Sequence, residues 1–246
     1  MAKRPRKKLI VLLISLVVLI ALVVIGDRVA AAAAEGKLSD AVADKVTSSG
    51  ADMKRPPDVS ITGFPFLTQV IGGEYSEIDI TLTDVSDEDI SMPKVDIKAM
   101  DVTAAASDVV NGSGPITAGS MKATANVSYD SFTSKLEDIT DTKITPKDGK
   151  LNVEATVNVQ GRAIAVVGTA AVTIADNKLS LQAENFQPKD AQLPPGSDQI
   201  LNNLSQSFNR QIPLPDLPFD LKLSDPQLNE NDIALTATAK DVPLSS

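Results

Sequence analysis

The sequence predicts an α+β protein in which an N-terminal transmembrane helix precedes a long curved antiparallel sheet and a few helices. Three observations predict it. Leu9 to Ile25 is an unbroken run of 17 residues with Ser15 as its only polar member. From Val59 onward apolar and polar residues alternate with period two, the mark of half-buried antiparallel strands. Short stretches of helical spacing interrupt that alternation. The chain has 246 residues, 43% of them hydrophobic, which is enough to bury one sizeable core. No Pro/Gly/Ser linker divides it, so residues 1–26 read as a basic tail and anchor and residues 27–246 as a single extracytoplasmic domain.

The anchor comes first. Lys3, Arg4, Arg6, Lys7 and Lys8 stand directly before the apolar run, so the N-terminus is expected on the cytoplasmic side and everything after Gly26 on the far, periplasmic side. The run lies at the lower edge of what spans a bilayer, about 17 to 25 residues, and exceeds the roughly 7 to 15 of a signal-peptide core, which favours an uncleaved anchor. Cleavage within Ala30 to Ala34 is the competing reading. Asp27 to Ser49 reads as a helix with Val29, Ala33, Leu38, Ala41, Val42 and Val46 on one side, stopped by Gly50 and the Pro56-Pro57 pair.

The strands follow. Leu151, Val153, Ala155, Val157 and Val159 alternate with polar residues, and turns at Gln160-Gly161-Arg162 and Asp176-Asn177 continue the chain through Ala163–Ile174 and Leu179–Ala183 as a meander. Further strands are expected near Ile78–Val85, Val95–Ala105, Ile116–Ser128, Phe219–Leu228 and Ile233–Lys240. Helices are expected over Tyr129–Asp138 and over Ser197–Arg210, the latter with Ile200, Leu201, Leu204 and Phe208 as its stripe. Pro213, Pro215 and Pro218 then force an extended edge connection. Inward positions are often Ala or Val, so a curved sheet can leave an apolar channel unless helices fill it.

Composition excludes much chemistry. With neither cysteine nor histidine in the chain, disulfides, thiolate nucleophiles and histidine-based triads or metal cages are ruled out, and no cofactor or metal site is read. Five of the 23 bases precede the apolar run, leaving 18 against 32 acids, a body of net charge −14 that repels nucleic acid. Asp84, Asp87, Glu88 and Asp89 lack the spacing of a calcium loop and read as a solvated hairpin tip. Ser91-Met92-Pro93-Lys94 matches a Ser-x-x-Lys nucleophile pattern but precedes strand residues rather than opening a helix. Asn111-Gly112-Ser113-Gly114-Pro115 is a turn without phosphate-loop spacing, and the sequons at Asn111, Asn126 and Asn203 receive no role. A scaffold with a filled core and a glycan-active enzyme with paired carboxylates are two readings that this composition leaves open.

The informative segment is Val59 to Leu82. Phe64, Phe66 and Tyr75, three of the chain's eight aromatics, fall there, and the pattern is strand, short helix from Pro65 to Ile71 closed by Gly72-Gly73, then strand. Phe66, Leu67, Val70 and Ile71 form that helix's apolar face, either a packing plug or a mobile lip that admits acyl chains. On the second reading the lipid-contacting residues are Phe64, Phe66, Leu67, Val70, Ile71 and Tyr75.

These residues carry a resemblance. The basic anchor, Asp27-Arg28-Val29-Ala30, Val59-x-Ile61-x-Gly63-Phe64-Pro65-Phe66-Leu67-Thr68-Gln69, Gly73-x-Tyr75 and Ile78-x-Ile80 resemble the LmeA-like phospholipid-binding proteins of actinobacterial cell envelopes, the Gly-Phe-Pro-Phe-Leu block most specifically. The resemblance implies a TULIP-like lipid-binding fold and a non-enzymatic role. It also implies phospholipid as ligand, support of mannan elongation in lipomannan and lipoarabinomannan, and envelope glycan-synthesis proteins as partners.

Overall fold

The computed structural model describes residues 5–86, 90–105, 107–108, 114–133, 139–159, 162–175, 178–189, 198–213 and 222–243. The first element is a single helix, α1 (Pro5–Ser48), of 44 residues. At about 1.5 Å per residue it is roughly 66 Å long, about twice the hydrocarbon thickness of a bilayer, so its first half can span while its second half belongs to the body. Gly26 passes through without a break, because no neighbouring atom crowds it and the helix continues on both sides. The anchor and the expected Asp27–Ser49 helix are thus one element.

The buried face of α1 matches the expected one in part: Leu38, Val42 and Val46 are half-buried as expected. Val29, Ala33 and Ala41 are exposed, and the residues turned inward are Asp27, Ala31, Ala34 and Leu38. Their three- and four-residue spacing is helical. Alanine lets the helix approach closely, and the buried polar group at position 27 could not be read as part of an apolar stripe.

After α1 come β1 (Asp52–Met53), β2 (Asp58–Thr62), α2 (Phe66–Gly72), β3 (Glu74–Ser86), β4 (Ser91–Thr103) and β5 (Thr117–Ser128). Then follow α3 (Asp130–Thr133), β6 (Ile139–Lys147), β7 (Lys150–Val159), β8 (Arg162–Ala175), β9 (Lys178–Pro188) and α4 (Asp198–Phe208). The described elements close with β10 (Arg210–Pro213), β11 (Lys222–Leu223), β12 (Gln227–Leu228) and β13 (Asp232–Pro243). The class is α+β, as expected, but the strands form two open antiparallel sheets. The large one has eight strands in the order β1-β3-β4-β5-β13-β11, with β2 beside β3 and β12 beside β13; the small one runs β10-β9-β8-β7-β6. The meander of the small sheet is the one the alternation predicts. β6 was not expected; it pairs β7 through the two-residue turn Asp148-Gly149, both at positive φ. β10 is an edge strand on β9, where its proline is tolerated.

Other expectations are trimmed. Of the expected helix Tyr129–Asp138 only Asp130–Thr133 is helical among the described residues, and 134–138 lie outside them. The expected strand Phe219–Leu228 resolves into two short pairings with β13, with 219–221 outside the described residues. Ser91 opens a strand rather than a helix, and Lys94 is paired with Asp96 at 2.7 Å, so the Ser-x-x-Lys pattern has no nucleophile geometry. Asp84 pairs with Arg55, while Asp87, Glu88 and Asp89 lie outside the described residues, as do Asn111–Ser113.

Two clusters of buried side chains hold the body. One joins the sheets: Val127, Ile233 and Leu235 of the large sheet pack with Leu151, Val153, Val166, Leu179 and Leu181 of the small one. The other places Ala31 and Ala34 of α1 and Phe66 of α2 against Ile61, Tyr75, Val102, Ala118 and Val242. Between them the large sheet is creased. Buried positions step by three rather than two at Tyr75/Ile78, Ala99/Val102, Ala118/Met121 and Ala239/Val242, on four adjacent strands in register. Asp101 and Asp241 sit at the crease with φ of 53° and 52°, and a Cβ on Gly119 between them would meet Asp101 Cβ at 3.1 Å. Aspartate enters the left-handed region more readily than most side chains, so these positions absorb the change of face.

Tyr129 locks the far end. It is buried, and its hydroxyl donates to the Asn229 carbonyl at 2.7 Å. Burial, together with the Asp232 carboxylate, pushes its hydroxyl up to about 12. Its folded value therefore exceeds the ordinary 10.0, and its contribution to stability is complete below that pH and lost as pH rises toward about 12. Tyr129→Phe is expected to cost about 1 kcal/mol at neutral pH. In denaturant melts at about pH 8 and pH 11.5, the variant should lose less stability with rising pH than the wild type.

Candidate lipid-binding site at the membrane helix junction

The junction is built from α1 outward. Asp27, two residues past the apolar run, is fully buried. Its carboxylate accepts from the Leu67 amide at 2.8 Å and from Arg28 Nη2 at 2.7 Å. Burial alone would raise this carboxyl, but the Leu67 amide, the Arg28 guanidinium and the Phe66 amide hold it below its ordinary value, so it stays ionised. The Arg28 guanidinium also donates to the Gly63 carbonyl at 3.2 Å and lies 5.4 Å from the centre of the Phe64 ring. About two and three turns further on, Glu35 accepts from the Ile61 amide at 2.8 Å and Ser39 donates to the Pro57 carbonyl at 2.6 Å. The second half of α1 is thus bonded to the segment that leads into β2, to β2 itself and to the start of α2.

The local sequence explains α2. Pro65 occupies its N-cap at φ −74°, and Gly73 ends it in the left-handed conformation at φ 68°. Gly73 also meets β4, its carbonyl accepting from the Ala104 amide at 2.9 Å. Gln69 ties the helix to both flanking strands, donating to the Thr62 carbonyl at 3.2 Å and accepting from the Ser76 amide at 2.9 Å.

The six residues expected to contact lipid separate into two groups. Phe66 and Tyr75 are 4% and 2% exposed, with ring centres 6.4 Å apart, and Val70 packs partly buried beside them. Phe64, Leu67 and Ile71 face outward at 60%, 41% and 86% exposure. Exposed Val29 of α1 belongs to the same end of the body. Asp27, Arg28 and Gln69 stand in the motifs that carry the resemblance, but the bonds by which they and Glu35 hold this junction were not anticipated from the sequence. The one available signal was an acid–base pair directly behind a membrane run, where a charge needs a partner.

A second apolar surface lies on the α1 side of the large sheet. Ile61, Ile78, Ala99, Met121 and Ala239 stand in one transverse row, and Val59, Ile80, Ile97, Ala123 and Ala237 in the next. Leu82, Val95, Ala125 and Leu235 make a third. The ends of this surface are covered by α1 and by the small sheet, whereas Ile80, Ile97, Val95, Ala123 and Ala125 remain half-buried. Small side chains on β5 and β13 keep it shallow. Among the described residues no group of three or more acids has metal-binding geometry.

An apolar helix with only 6% of its most apolar window buried, an exposed apolar patch bonded to its exit point, and partly open apolar rows behind that patch define an α+β protein built to meet lipid. The chain belongs to the LmeA-like phospholipid-binding family, whose model matches residues 25–238. The match begins at the last residue of the apolar run and takes in the junction, both apolar surfaces and most of β13. No curated protein and no solved structure matches the chain.

Proposed function

We propose that this protein is a non-enzymatic phospholipid carrier or presenter of the cell envelope, held by an uncleaved anchor at residues 9–25 with residues 27–246 as one extracytoplasmic, periplasmic domain. Phospholipid enters past Phe64, Leu67 and Ile71, and its acyl chains lie on the half-buried rows around Ile80 and Ile97. Phe66, Val70 and Tyr75 hold the lip against the sheet from beneath. The process it serves is mannan elongation of lipomannan and lipoarabinomannan, alongside envelope glycan-synthesis proteins.

The observation that carries this reading is the hydrogen bond from the Leu67 amide to Asp27, which fixes an exposed apolar helix two residues from the end of the membrane run. That placement sets Leu67 and Ile71 at the bilayer surface, where an apolar side chain loses water contact. Each acyl methylene moved onto the rows contributes about 0.8 kcal/mol, so about ten methylenes provide ample affinity. Ile97→Asp tests it by placing a charge on the central row. Phospholipid retained per chain, measured by lipid extraction and mass spectrometry, is expected to fall at least about tenfold, from the cost of meeting a carboxylate with hydrocarbon. Retention at the wild-type level would remove the rows from the lipid path.

A further inference from the structure

Arg28 keeps donors in reserve at the junction. It is the first base after the apolar run, and the next is Lys37. Its Nε and Nη2 donate to Asp27 Oδ2 at 3.2 and 2.7 Å, and Nη2 also donates to the Gly63 carbonyl at 3.2 Å. Nη1, with two of the five guanidinium N–H groups, has no partner among the described residues. The Arg28 side chain is 47% exposed while the Asp27 carboxylate is fully buried, so the pair turns its positive end outward. The Phe64 ring, 5.4 Å from the guanidinium carbon, displaces water from one side of the cation and strengthens the bonds its N–H groups make.

The surroundings say what those donors can meet. Asp27 takes the Leu67 and Phe66 amides, so the protein's own carboxylate fills the start of α2 and leaves the guanidinium as the open donor beside exposed Leu67. One carboxylate thus holds both the apolar lip and the cation. Helical side chains lean toward the helix N-terminus, which for Arg28 is toward the apolar run and, with that run in a bilayer, toward the headgroup layer. The apolar rows lie on the same side of the large sheet as α1. From Gly63, bonded to Arg28, back to Val59, which faces Ile80, is four residues of extended chain, roughly 13 Å. One leaflet's hydrocarbon is roughly 15 Å thick, so a headgroup at Arg28 and acyl chains on the rows fit a single molecule.

We propose that Arg28 is the headgroup-recognising residue of this protein, its free Nη1 edge donating to the phosphate of a phospholipid whose acyl chains pass Leu67 and Ile71 to the rows. The assignment rests on the phospholipid reading above and names the polar group that selects the ligand. Arginine suits the task because its planar fork bonds the buried carboxylate along one edge and offers another to a phosphate. Lysine, with one nitrogen, cannot divide itself in this way.

The test offers the full chain, in maltoside detergent, an equimolar mixture of dioctanoyl phosphatidate and dioctanoylglycerol, which differ only in the phosphate. Native mass spectrometry reads how much of each is bound. The wild type is expected to prefer phosphatidate. Arg28→Gln should lower that preference about tenfold, the loss of one charge-assisted hydrogen bond, with dioctanoylglycerol bound as before. Arg28→Lys keeps a cation for Asp27, should melt as the wild type does, and should lose the preference too. Lys37→Gln, which removes the next cation along α1, should change nothing, and Ile97→Asp should lower both lipids together. An undiminished preference in either Arg28 variant overturns the site. So does an equal loss of both lipids in both, which is the mark of a residue that only holds the junction together. Inorganic phosphate that competes as strongly as phosphatidate overturns the headgroup assignment in favour of a free-anion site. Wild type that binds both lipids equally overturns the Arg28 site and leaves lipid binding standing. Wild type that binds neither removes the phospholipid reading and the site with it.

Discussion

Ile71→Asp is expected to block phospholipid uptake while leaving the fold intact. Ile71 is 86% exposed and makes no buried contact, so folding stability should change by less than about 0.5 kcal/mol. Its loss is felt only where the side chain meets lipid. Burying an isoleucine side chain contributes about 1.5–3 kcal/mol, so the rate of lipid transfer from labelled donor vesicles should fall roughly 10- to 100-fold. The aspartate adds a desolvation cost in the same direction. Wild-type transfer by a folded Ile71→Asp protein would exclude α2 from the entry route.

Phe66→Ala should behave in the opposite way. Phe66 is 4% exposed, tilted against the Tyr75 ring and packed with the α1 alanines, so truncation leaves a cavity where α1, α2 and the large sheet converge. A loss of about 3–5 kcal/mol in denaturant unfolding is expected. The melting temperature should drop by roughly 10 °C or more. Any effect on lipid would follow from that loosening. A variant of wild-type stability that no longer binds lipid would instead make Phe66 a contact residue.

The contrast between these two neighbours shows where sequence reading stops. The helix over 65–71 was readable because Pro65 and the Gly72-Gly73 pair punctuate it. Phe66, Leu67, Val70 and Ile71 all look apolar, and aromatic clustering does not say which residue points where. Helical spacing alone pairs 66 with 70 and 67 with 71, but only the Asp27 bond to Leu67 decides which pair faces the sheet. The N-terminal apolar helix was readable from an uninterrupted apolar run behind lysines and arginines, and β7 to β9 from clean alternation. The large sheet was less so, because its crease shifts the buried face by one residue on four strands. Period two fails there. An aspartate inside a strand, as at 101 and 241, was the available warning, since a left-handed residue in a strand is often Asp, Asn or Gly.

The junction also has a mechanical consequence. Asp27, Glu35 and Ser39 bond one continuous helix to the body at three successive levels, so the body cannot swivel freely about a flexible tether. Leu67, on the exposed side of α2, is thereby held at a fixed position relative to the end of the apolar run.

Native mass spectrometry of the full chain, released from its own membrane in mild detergent and followed by lipid extraction, tests the central claim most directly. The account predicts one phospholipid retained per chain at near-stoichiometric ratio, and reduced retention in Ile97→Asp. Protein that is repeatedly lipid-free and also refuses added phospholipid would contradict it, and would make the apolar rows a packed scaffold face instead of a lipid path.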